Sequence, residues 1–241
     1  MISKKYPAPC NGKIAYVEIP AINAGESAAF YEKVFGWKIK VEDDGSIKFT
    51  DAINEVSGVW VTGRKPSTEP GLMVSIMVDD VDQTITALEA AGSKIVNRMA
   101  FDGQFLAWFT DPAGNILCIY QHPGGGHGKI CYIEIPAGDI EKSAAFYETV
   151  FSWPLRDKGT ENVAFDDGAG IVSGMWVLGR KPSAVPGLLI YIMMDDIAGT
   201  AKAVAANGGK VLQHSEVSIP GIVVWFNDIS GNVFGLYQHQ D

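Results

Sequence analysis

The dominant feature of this sequence is an internal repeat that spans almost the whole chain. The segment KIAYVEIPAINAGESAAFYEKVFGWKI at residues 13–39 returns as KICYIEIPAGDIEKSAAFYETVFSWPL at residues 129–155. The loop GRKPS at 63–67 reappears unchanged at 179–183. A period of about 116 residues is far longer than a solenoid repeat and has the size of a domain. The chain is therefore predicted to be two homologous domains, fused as two subunits of a dimer would be.

Composition narrows the class of protein. The 241 residues are 47% hydrophobic and 20% charged, which is ordinary for a globular protein, and no apolar run approaches the roughly 18 residues of a membrane span. The 3 cysteines, Cys10, Cys118 and Cys131, are odd in number, which fits a reducing cytoplasm rather than a disulfide framework. The net charge of -9 disfavours nucleic acid as a partner. We expect a cytoplasmic protein with neither nucleic-acid nor membrane partners.

Hydrophobic periodicity predicts an α+β fold made of four βαβββ units, two in each domain. In the first domain, the first unit is predicted as a strand at 14–19 ended by Pro20, a helix at 25–35, and strands at 38–42, 46–50 and 58–62. The second unit is predicted as a strand at 72–78, a helix at 80–91 with Asp80 as its N-cap, and strands at 94–99, 105–110 and 116–121. The predicted boundaries are an N-terminal arm at 1–12, domains at 13–122 and 129–241, and a glycine-rich linker at 123–128.

Three motifs recur at matching places in the two halves. They are the helix segment SAAFYE, an Asp-Asp pair before the second helix, and a Gly-Asn pair before the last strand, which in the first domain belongs to DPAGN. With this pattern the chain resembles the vicinal oxygen chelate superfamily, which holds glyoxalase I, bleomycin-resistance proteins and extradiol dioxygenases, and within it the two-domain glyoxalase-like branch. The resemblance implies curved sheets around cup-shaped cavities. It does not settle the activity, because this fold hosts many chemistries.

The resemblance also implies a divalent metal, held by His, Gln or Glu side chains that point into the cup. Carried onto this sequence, the ligand positions fall at Tyr16 and Tyr132, near Trp60 and Trp176, at Met73 and Leu189, and at Cys118 and Gly235. These side chains do not form the imidazole and carboxylate set that such metals take. We therefore predict no metal and no cofactor in either domain. His122 and His239 are predicted at strand ends, and His127 and His214 on the surface.

Strand alternation predicts which side chains line the cups. Ala15, Val17 and Ile19 are assigned to the helix side, with Cys131. Ile14, Tyr16 and Glu18 are assigned to the cup side. The predicted ligand-binding residues are Tyr16, Trp60, Met73, Cys118, Tyr132, Trp176, Leu189 and Tyr191. Such an aromatic and methionine-containing lining suits a flat or apolar organic molecule.

Glu18 and Glu134 are the only acidic side chains expected to point inward, one in each half. They are the candidate catalytic acid or base. The alternative is that each forms a hydrogen bond to a neighbouring strand or to the loop of Arg64 or Arg180. The tryptophans have an alternative role of the same kind, because they can simply fill the interior of the sheets.

Three hypotheses about function stay open at this point. The first is a metal-free binding protein for a small organic molecule, acting as a monomeric pseudo-dimer with further dimerisation left open. The second is a lyase or isomerase acting on a small carbonyl compound, with Glu18 or Glu134 moving a proton and the hydroxyl of Tyr16 or Tyr132 as electrophile. The third is a structural protein whose cups are filled by their own side chains. An open cup containing a glutamate would favour the first two hypotheses, and a closed cup the third.

The two cups are not expected to be alike. Ser75 in one half corresponds to Tyr191 in the other, and Cys118 corresponds to Gly235. These exchanges change side-chain volume, so the two cups should differ in shape.

Overall fold

The order of elements follows the repeat. The computed structural model describes residues 10–69, 71–101, 104–121, 126–183, 187–212 and 222–238. In these residues a strand, a helix and three further strands follow one another four times in succession. The predicted α+β fold of four βαβββ units is confirmed. No helix in the described ranges is long and apolar enough to cross a membrane.

The four units have closely similar bounds. The first comprises β1 (Ile14–Ala21), α1 (Ala24–Phe35), β2 (Lys38–Val41), β3 (Ile47–Thr50) and β4 (Ser57–Thr62). The second comprises β5 (Met73–Val78), α2 (Val81–Ala90), β6 (Ile95–Phe101), β7 (Gln104–Thr110) and β8 (Ile116–Gln121). The third comprises β9 (Ile130–Pro136), α3 (Ile140–Phe151), β10 (Leu155–Arg156), β11 (Ala164–Asp166) and β12 (Ser173–Val177). The fourth comprises β13 (Leu189–Met193), α4 (Ile197–Ala206), β14 (Lys210–Leu212), β15 (Ile222–Asn227) and β16 (Val233–Gln238).

Local signals explain most helix and strand ends. The Asn23 side chain caps α1 by accepting hydrogen bonds from two backbone N–H groups, and Gly36 ends the helix with a φ of 66°. Asp80 caps α2 as predicted, accepting from the backbone N–H of Gln83 at 2.9 Å. The prediction that Pro20 ends the first strand after Ile19 was wrong, because β1 extends two residues further, to Ala21. Pro20 still pairs with β4 in parallel register, so β1 continues past it.

Two eight-stranded sheets contain all sixteen strands. The first sheet has the order β14-β15-β16-β13-β1-β4-β3-β2, and the second has the order β10-β11-β12-β9-β5-β8-β7-β6. Each sheet therefore joins one unit of the N-terminal half to one unit of the C-terminal half. The seams are the antiparallel pairs β1/β13 and β5/β9. Each cup therefore forms across both halves of the chain rather than within one of them.

Reciprocal hydrogen bonds hold the two halves together. The Trp37 indole donates to the Gly128 carbonyl, and the Trp153 indole donates to the Gly12 carbonyl, each at 2.7 Å. Gly12 has a φ of 76°, and a Cβ atom there would lie 2.6 Å from the Phe151 carbonyl oxygen. Only glycine allows so close an approach at this φ. The segment before each half's first strand is thus seated on the other half.

The recurring motifs prove to be structural. The Tyr31 hydroxyl of SAAFYE donates to Asp111 Oδ2 at 3.1 Å, and Asn115 donates to the same oxygen at 2.8 Å. The same contact joins Tyr147 to Asp228 at 3.0 Å. Burial raises the pKa of both aspartates. These residues connect the helix of one unit to the last loop of the next within the core.

A bulge in each seam changes the predicted side-chain faces. Ile14 pairs with Ile192, but Tyr16 already pairs with Tyr191, so one extra residue lies in β1. Ile14 consequently packs in the core beside the helices, and Ala15 packs on the opposite face with Tyr16. The assignments of Ala15 to the helix side and of Ile14 to the cup side were both wrong, because strict alternation does not hold through a bulge.

The same correction applies to Cys131, the counterpart of Ala15. A register shift interrupts the β5/β9 pairing beside it. The Cys131 thiol donates to the Ser75 carbonyl at 3.5 Å, and Cys131 is not part of the hydrophobic cluster that packs against the helices. Cys131 therefore lies beside the cup residues rather than in the helix-side core.

Candidate functional site

Each sheet has one concave face, and strand register defines which side chains line it, because paired residues point to the same side. The first cup, on the first sheet, is lined by Tyr16, Glu18, Val59, Leu189, Tyr191, Trp225, Gly235 and Tyr237. The second cup, on the second sheet, is lined by Met73, Ser75, Met77, Trp108, Cys118, Tyr120, Tyr132, Glu134 and Met175.

The predicted site residues divide between the two cups. The structure brings together Tyr16, Glu18, Leu189 and Tyr191 in the first cup and Met73, Cys118, Tyr132 and Glu134 in the second. In each set, residues from opposite halves of the chain meet at a seam. The repeat correspondence alone would not have grouped them this way.

Trp60 and Trp176 were predicted to line the cups, and that placement was wrong. In the parallel pairing of β1 with β4, Trp60 lies beside Ile19, a core residue, while Glu18 lies beside Val59. Trp60 is buried against the Tyr31 ring, at a centroid distance of 5.7 Å.

Trp176 occupies the equivalent place. It lies beside Ile135 in the pairing of β9 with β12, and it packs near the Tyr147 ring at 5.6 Å. The cup positions that were assigned to the two tryptophans belong to Val59 and Met175 instead.

The first cup is filled by its own side chains. The Tyr191 ring covers Gly235 so closely that a Cβ atom at that glycine would lie 2.1 Å from the ring. The Tyr191 hydroxyl donates to Glu18 Oε1 at 2.9 Å and accepts from the Trp225 indole at 3.1 Å. Tyr16 meets Tyr191 edge-on at a centroid distance of 6.0 Å. Burial and the charge of Glu18 raise the pKa of Tyr191, which keeps its hydroxyl protonated as a donor.

The second cup lacks this filling. Ser75 and Cys118 stand where the first cup has Tyr191 and Gly235. Tyr132, Glu134 and Met175 are half-buried, whereas their counterparts in the first cup are buried. The exposed fraction of the Glu134 side chain is 21%, against 4% for Glu18. A residue exchange that removes one aromatic ring thus coincides with access to the glutamate.

Each cup glutamate forms an ion pair with an arginine of the GRKPS loops. Arg64 Nη2 lies 2.6 Å from Glu18 Oε2, and Arg180 Nη2 contacts Glu134 Oε2 in the same way. This confirms the alternative in which the glutamates bond to these loops. In a charge-assisted pair the bonded oxygen is committed to the guanidinium, so proton transfer by Glu134 would have to use its second oxygen.

The second cup does not present the donors that a divalent metal of the family requires. Burial raises the pKa of Cys118 and of Cys131 to about 12, so both thiols stay protonated at neutral pH. Burial and the Glu134 charge also raise the pKa of Tyr132 to about 12. Within the described ranges, no three His, Cys, Asp or Glu side chains cluster as a metal site would require. Protonated thiols, thioethers and a carboxylate bound to arginine do not fit such an ion.

Sequence reasoning missed Val59 and Trp225 in the first cup. In the second cup it missed Trp108 and Met175, and it considered Arg180 only as a possible partner of Glu134. The Trp108 indole donates to Met73 Sδ at 2.9 Å, and Trp108 pairs with Cys118 between β7 and β8. Strand parity carried from Cys118 to its neighbouring strand was the signal that could have identified Trp108.

The histidines take no part in the described cups. His127 Nε2 lies 3.0 Å from the Val34 carbonyl oxygen, at the end of α1, and the ring is half-buried rather than fully on the surface. His122, His214 and His239, with most of the predicted arm and linker, lie outside the described residues.

Comparisons with known proteins agree with this architecture. The family model described as Glyoxalase/Bleomycin resistance protein/Dioxygenase superfamily matches residues 13–119 and 129–236. A glyoxylase-like domain-containing protein from Didymella fabae is 34% identical over 129 residues, which cover 46% of this chain and 93% of that protein.

Solved structures share the fold at low sequence identity. Glyoxalase I from Zea mays superposes with a TM-score of 0.73 at 19% identity, covering 94% of this chain and 92% of its own. A mutant of that enzyme gives a TM-score of 0.74 at 18% identity over 94% of this chain and 92% of its own. With the family model matching both halves, the chain belongs to the glyoxalase/bleomycin resistance protein/dioxygenase superfamily.

Proposed function

We propose that this protein binds a small organic molecule in the second cup, without a metal, and that the first cup serves the architecture. The first cup corresponds to the structural hypothesis, because Tyr191 fills it. The second cup combines aromatic and methionine side chains with one accessible polar group, the pair Glu134–Arg180. Such a combination is typical of small-molecule sites.

The observation that carries this proposal is that two cups with the same βαβββ framework differ in the side chains around their glutamates. Glu18 is bonded by Tyr191 in the first cup, and in the second cup Ser75 is too short to do the same for Glu134. The same βαβββ framework therefore presents one filled and one accessible glutamate. Binding at the second cup and not at the first follows from that difference.

The test converts the second cup into a copy of the first. The double variant S75Y/C118G introduces the tyrosine together with the glycine that the ring requires, since Tyr191 lies 2.1 Å from any Cβ at Gly235. A panel of small planar aromatic compounds is titrated into each protein, with binding followed by calorimetry and by fluorescence. Trp108 is the reporter, because it lines the second cup while Trp60 and Trp176 are in the core. We expect wild type to bind panel members and the double variant to lose at least tenfold in affinity.

A matched control is available in the first cup. L189M copies Met73 into the corresponding position and conserves side-chain volume, so it should leave binding unchanged. W108F should remove the fluorescence response without abolishing calorimetric binding. Undiminished binding by a folded S75Y/C118G protein would place the ligand elsewhere and contradict the proposal.

The lyase hypothesis remains the alternative, and one observation favours it. Tyr132 and Glu134 are both half-buried in the second cup, so a hydroxyl donor and a carboxylate are accessible together. The assay is turnover of methylglyoxal with glutathione, with added Ni²⁺ or Zn²⁺. Under the binding hypothesis no turnover is expected. Turnover that E134Q abolishes and E18Q retains would establish the enzyme instead.

The cellular setting is part of the same proposal. Cys10, Cys118 and Cys131 are all free thiols, which is consistent with a cytoplasmic location. A partner that is a small molecule, rather than nucleic acid or a membrane, accords with the net charge of -9.

A further inference from the structure

The Glu134–Arg180 pair in the second cup offers a donor and an acceptor that no described residue of the chain engages. We infer that the second cup selects a neutral, flat aromatic compound whose carbonyl oxygen lies next to an N–H or O–H group. This inference rests on the proposed function and adds the chemical class of the ligand. The two ion pairs differ in which of their remaining atoms already have a hydrogen-bond partner.

The donor is Arg180 Nη1. This atom is buried and has no hydrogen-bond partner among the described residues. Its counterpart, Arg64 Nη1, donates to the Gly187 carbonyl at 3.4 Å. Arg180 Nη2 is fixed on Glu134 at the cup surface, and the guanidinium is planar, so Nη1 lies beside that contact. A buried N–H without a partner is costly, and a ligand carbonyl oxygen would satisfy it.

The acceptor is Glu134 Oε1. In the first cup the equivalent oxygen of Glu18 accepts from Tyr191. Ser75 replaces that tyrosine, and in the described part of the chain Glu134 has Arg180 as its hydrogen-bond partner through the other oxygen. A ligand N–H or O–H would take the place that the Tyr191 hydroxyl has in the first cup. Donor and acceptor belong to one ion pair, so a single planar group can engage both.

The charge balance of the cup favours a neutral molecule. Glu134 and Arg180 compensate each other, and the neighbouring Cys118 and Tyr132 remain protonated at neutral pH because burial raises the pKa of each to about 12. Arg156 lies on the same face, in line with Ala164 and Met175, but it forms an ion pair with Asp166 at 3.3 Å. An anionic ligand would therefore find no uncompensated positive charge among these residues and would be desolvated without compensation.

The remaining lining favours a flat conjugated ring. Tyr132 and Trp108 supply aromatic surface, and Met73 and Met175 supply polarisable thioethers. Thioether sulfur and aromatic edges both interact favourably with π-systems. In the first cup the two methionine positions hold Leu189 and Val59, which lack sulfur.

The test uses three probes of nearly one shape. 2-Quinolone carries a carbonyl next to an N–H, N-methyl-2-quinolone keeps only the carbonyl, and 2-naphthoate is a flat anion. Each is titrated into wild-type protein by calorimetry at pH 7. We expect 2-quinolone to bind with a stoichiometry of one. The N-methyl compound and the anion should bind at least tenfold more weakly, because neither can donate a hydrogen bond to the Glu134 carboxylate.

Variants of the two ion pairs test which residues bind the ligand. R180M and E134Q should each weaken the binding of 2-quinolone at least tenfold. R64M and E18Q, the matched changes in the filled cup, should leave the affinity unchanged. Each variant is first shown by thermal melting to be a single folded species. The comparison of the three probes uses wild-type protein, so it tests the ligand class even if a variant fails to fold.

The outcomes separate this inference from the proposed function. Equal binding of 2-quinolone and its N-methyl derivative, or tighter binding of 2-naphthoate, would overturn the ligand class while leaving a functional second cup. Binding of none of the three probes would also overturn the ligand class. If, in addition, the wider aromatic panel gave no binding that S75Y/C118G removes, the proposed function itself would fall.

Discussion

At the scale of single residues, corresponding side chains of the two halves have different roles. Glu18 and Glu134 follow the same motif and bind the same kind of arginine. What differs among the described residues is the third partner: Tyr191 donates to Glu18, whereas its counterpart Ser75 is too short to reach Glu134 in the same way. The chemistry available in a cup is thus decided by one neighbouring residue rather than by the glutamate.

Buried aspartates predict a pH dependence of stability. Burial raises the pKa of Asp111 in the folded protein above its ordinary value, so the native state binds the proton more tightly than the unfolded chain does. The stabilisation from that proton is complete below the unfolded pKa of about 4 and is lost as pH rises through the folded pKa. Chemical denaturation of wild type and D111N between pH 3.5 and 7 should therefore show the wild-type free energy of unfolding falling relative to that of the variant.

The counterpart Asp228 provides an internal check, because burial raises its pKa as well, so D228N should show the same change relative to wild type. A wild-type curve that rises relative to D111N over this range would contradict the prediction.

At the scale of elements, close contact between strands and helices restricts particular positions to glycine. Gly58 lies in the middle of β4, and a Cβ atom there would lie 2.1 Å from the Phe49 ring and 2.3 Å from the Val17 carbonyl oxygen. Gly174 has the same environment in β12, at 2.2 Å from the Ile133 carbonyl oxygen. β1 and β9 therefore accept their parallel neighbours only because no side chain intervenes.

We predict that G58A lowers the free energy of unfolding by about 3 kcal/mol, because a backbone oxygen cannot move aside as a side chain can. G25A is the control: that glycine lies in α1, its nearest contact would be 3.4 Å away, and alanine is the better helix former. Urea denaturation of both variants measures the difference. An unchanged free energy of unfolding in G58A would show that β1 and β4 are not packed closely enough to exclude a methyl group.

At the scale of the whole molecule, the halves of the sequence are not the units of stability. Each sheet takes strands from both halves, and Trp37 and Trp153 donate across the same boundary. Each half contributes two seam strands, β1 and β5 from the first half and β9 and β13 from the second. Neither half can bury these strands without the other.

We predict a single cooperative unfolding transition for the whole chain, since loss of one half removes the neighbours of the other. Tryptophan fluorescence and far-UV circular dichroism should give coincident urea curves. W153F, which removes one cross-boundary hydrogen bond, should shift the entire curve to lower urea rather than split it. Two separated transitions would mean that the halves fold independently.

The sequence by itself determined the repeat, the four βαβββ units, the Asp80 cap of α2 and the family. These depend on local periodicity and on motifs such as SAAFYE, which are properties of the chain read in order. It also predicted that the cups differ, because the exchanges of Ser75 for Tyr191 and Cys118 for Gly235 are visible without coordinates.

Only the tertiary structure decided which cup is filled and which faces the tryptophans occupy. A bulge between Ile14 and Tyr16 reverses the alternation, and the register of β4 against β1 turns Trp60 into the core. The contact that fills the first cup joins Tyr191 to Glu18, residues 173 positions apart. Pairing between such distant strands depends on how whole sheets assemble, and a one-residue shift in register moves a side chain to the opposite face. Local patterns carry no information on that shift, so the site emerged only from the assembled sheets.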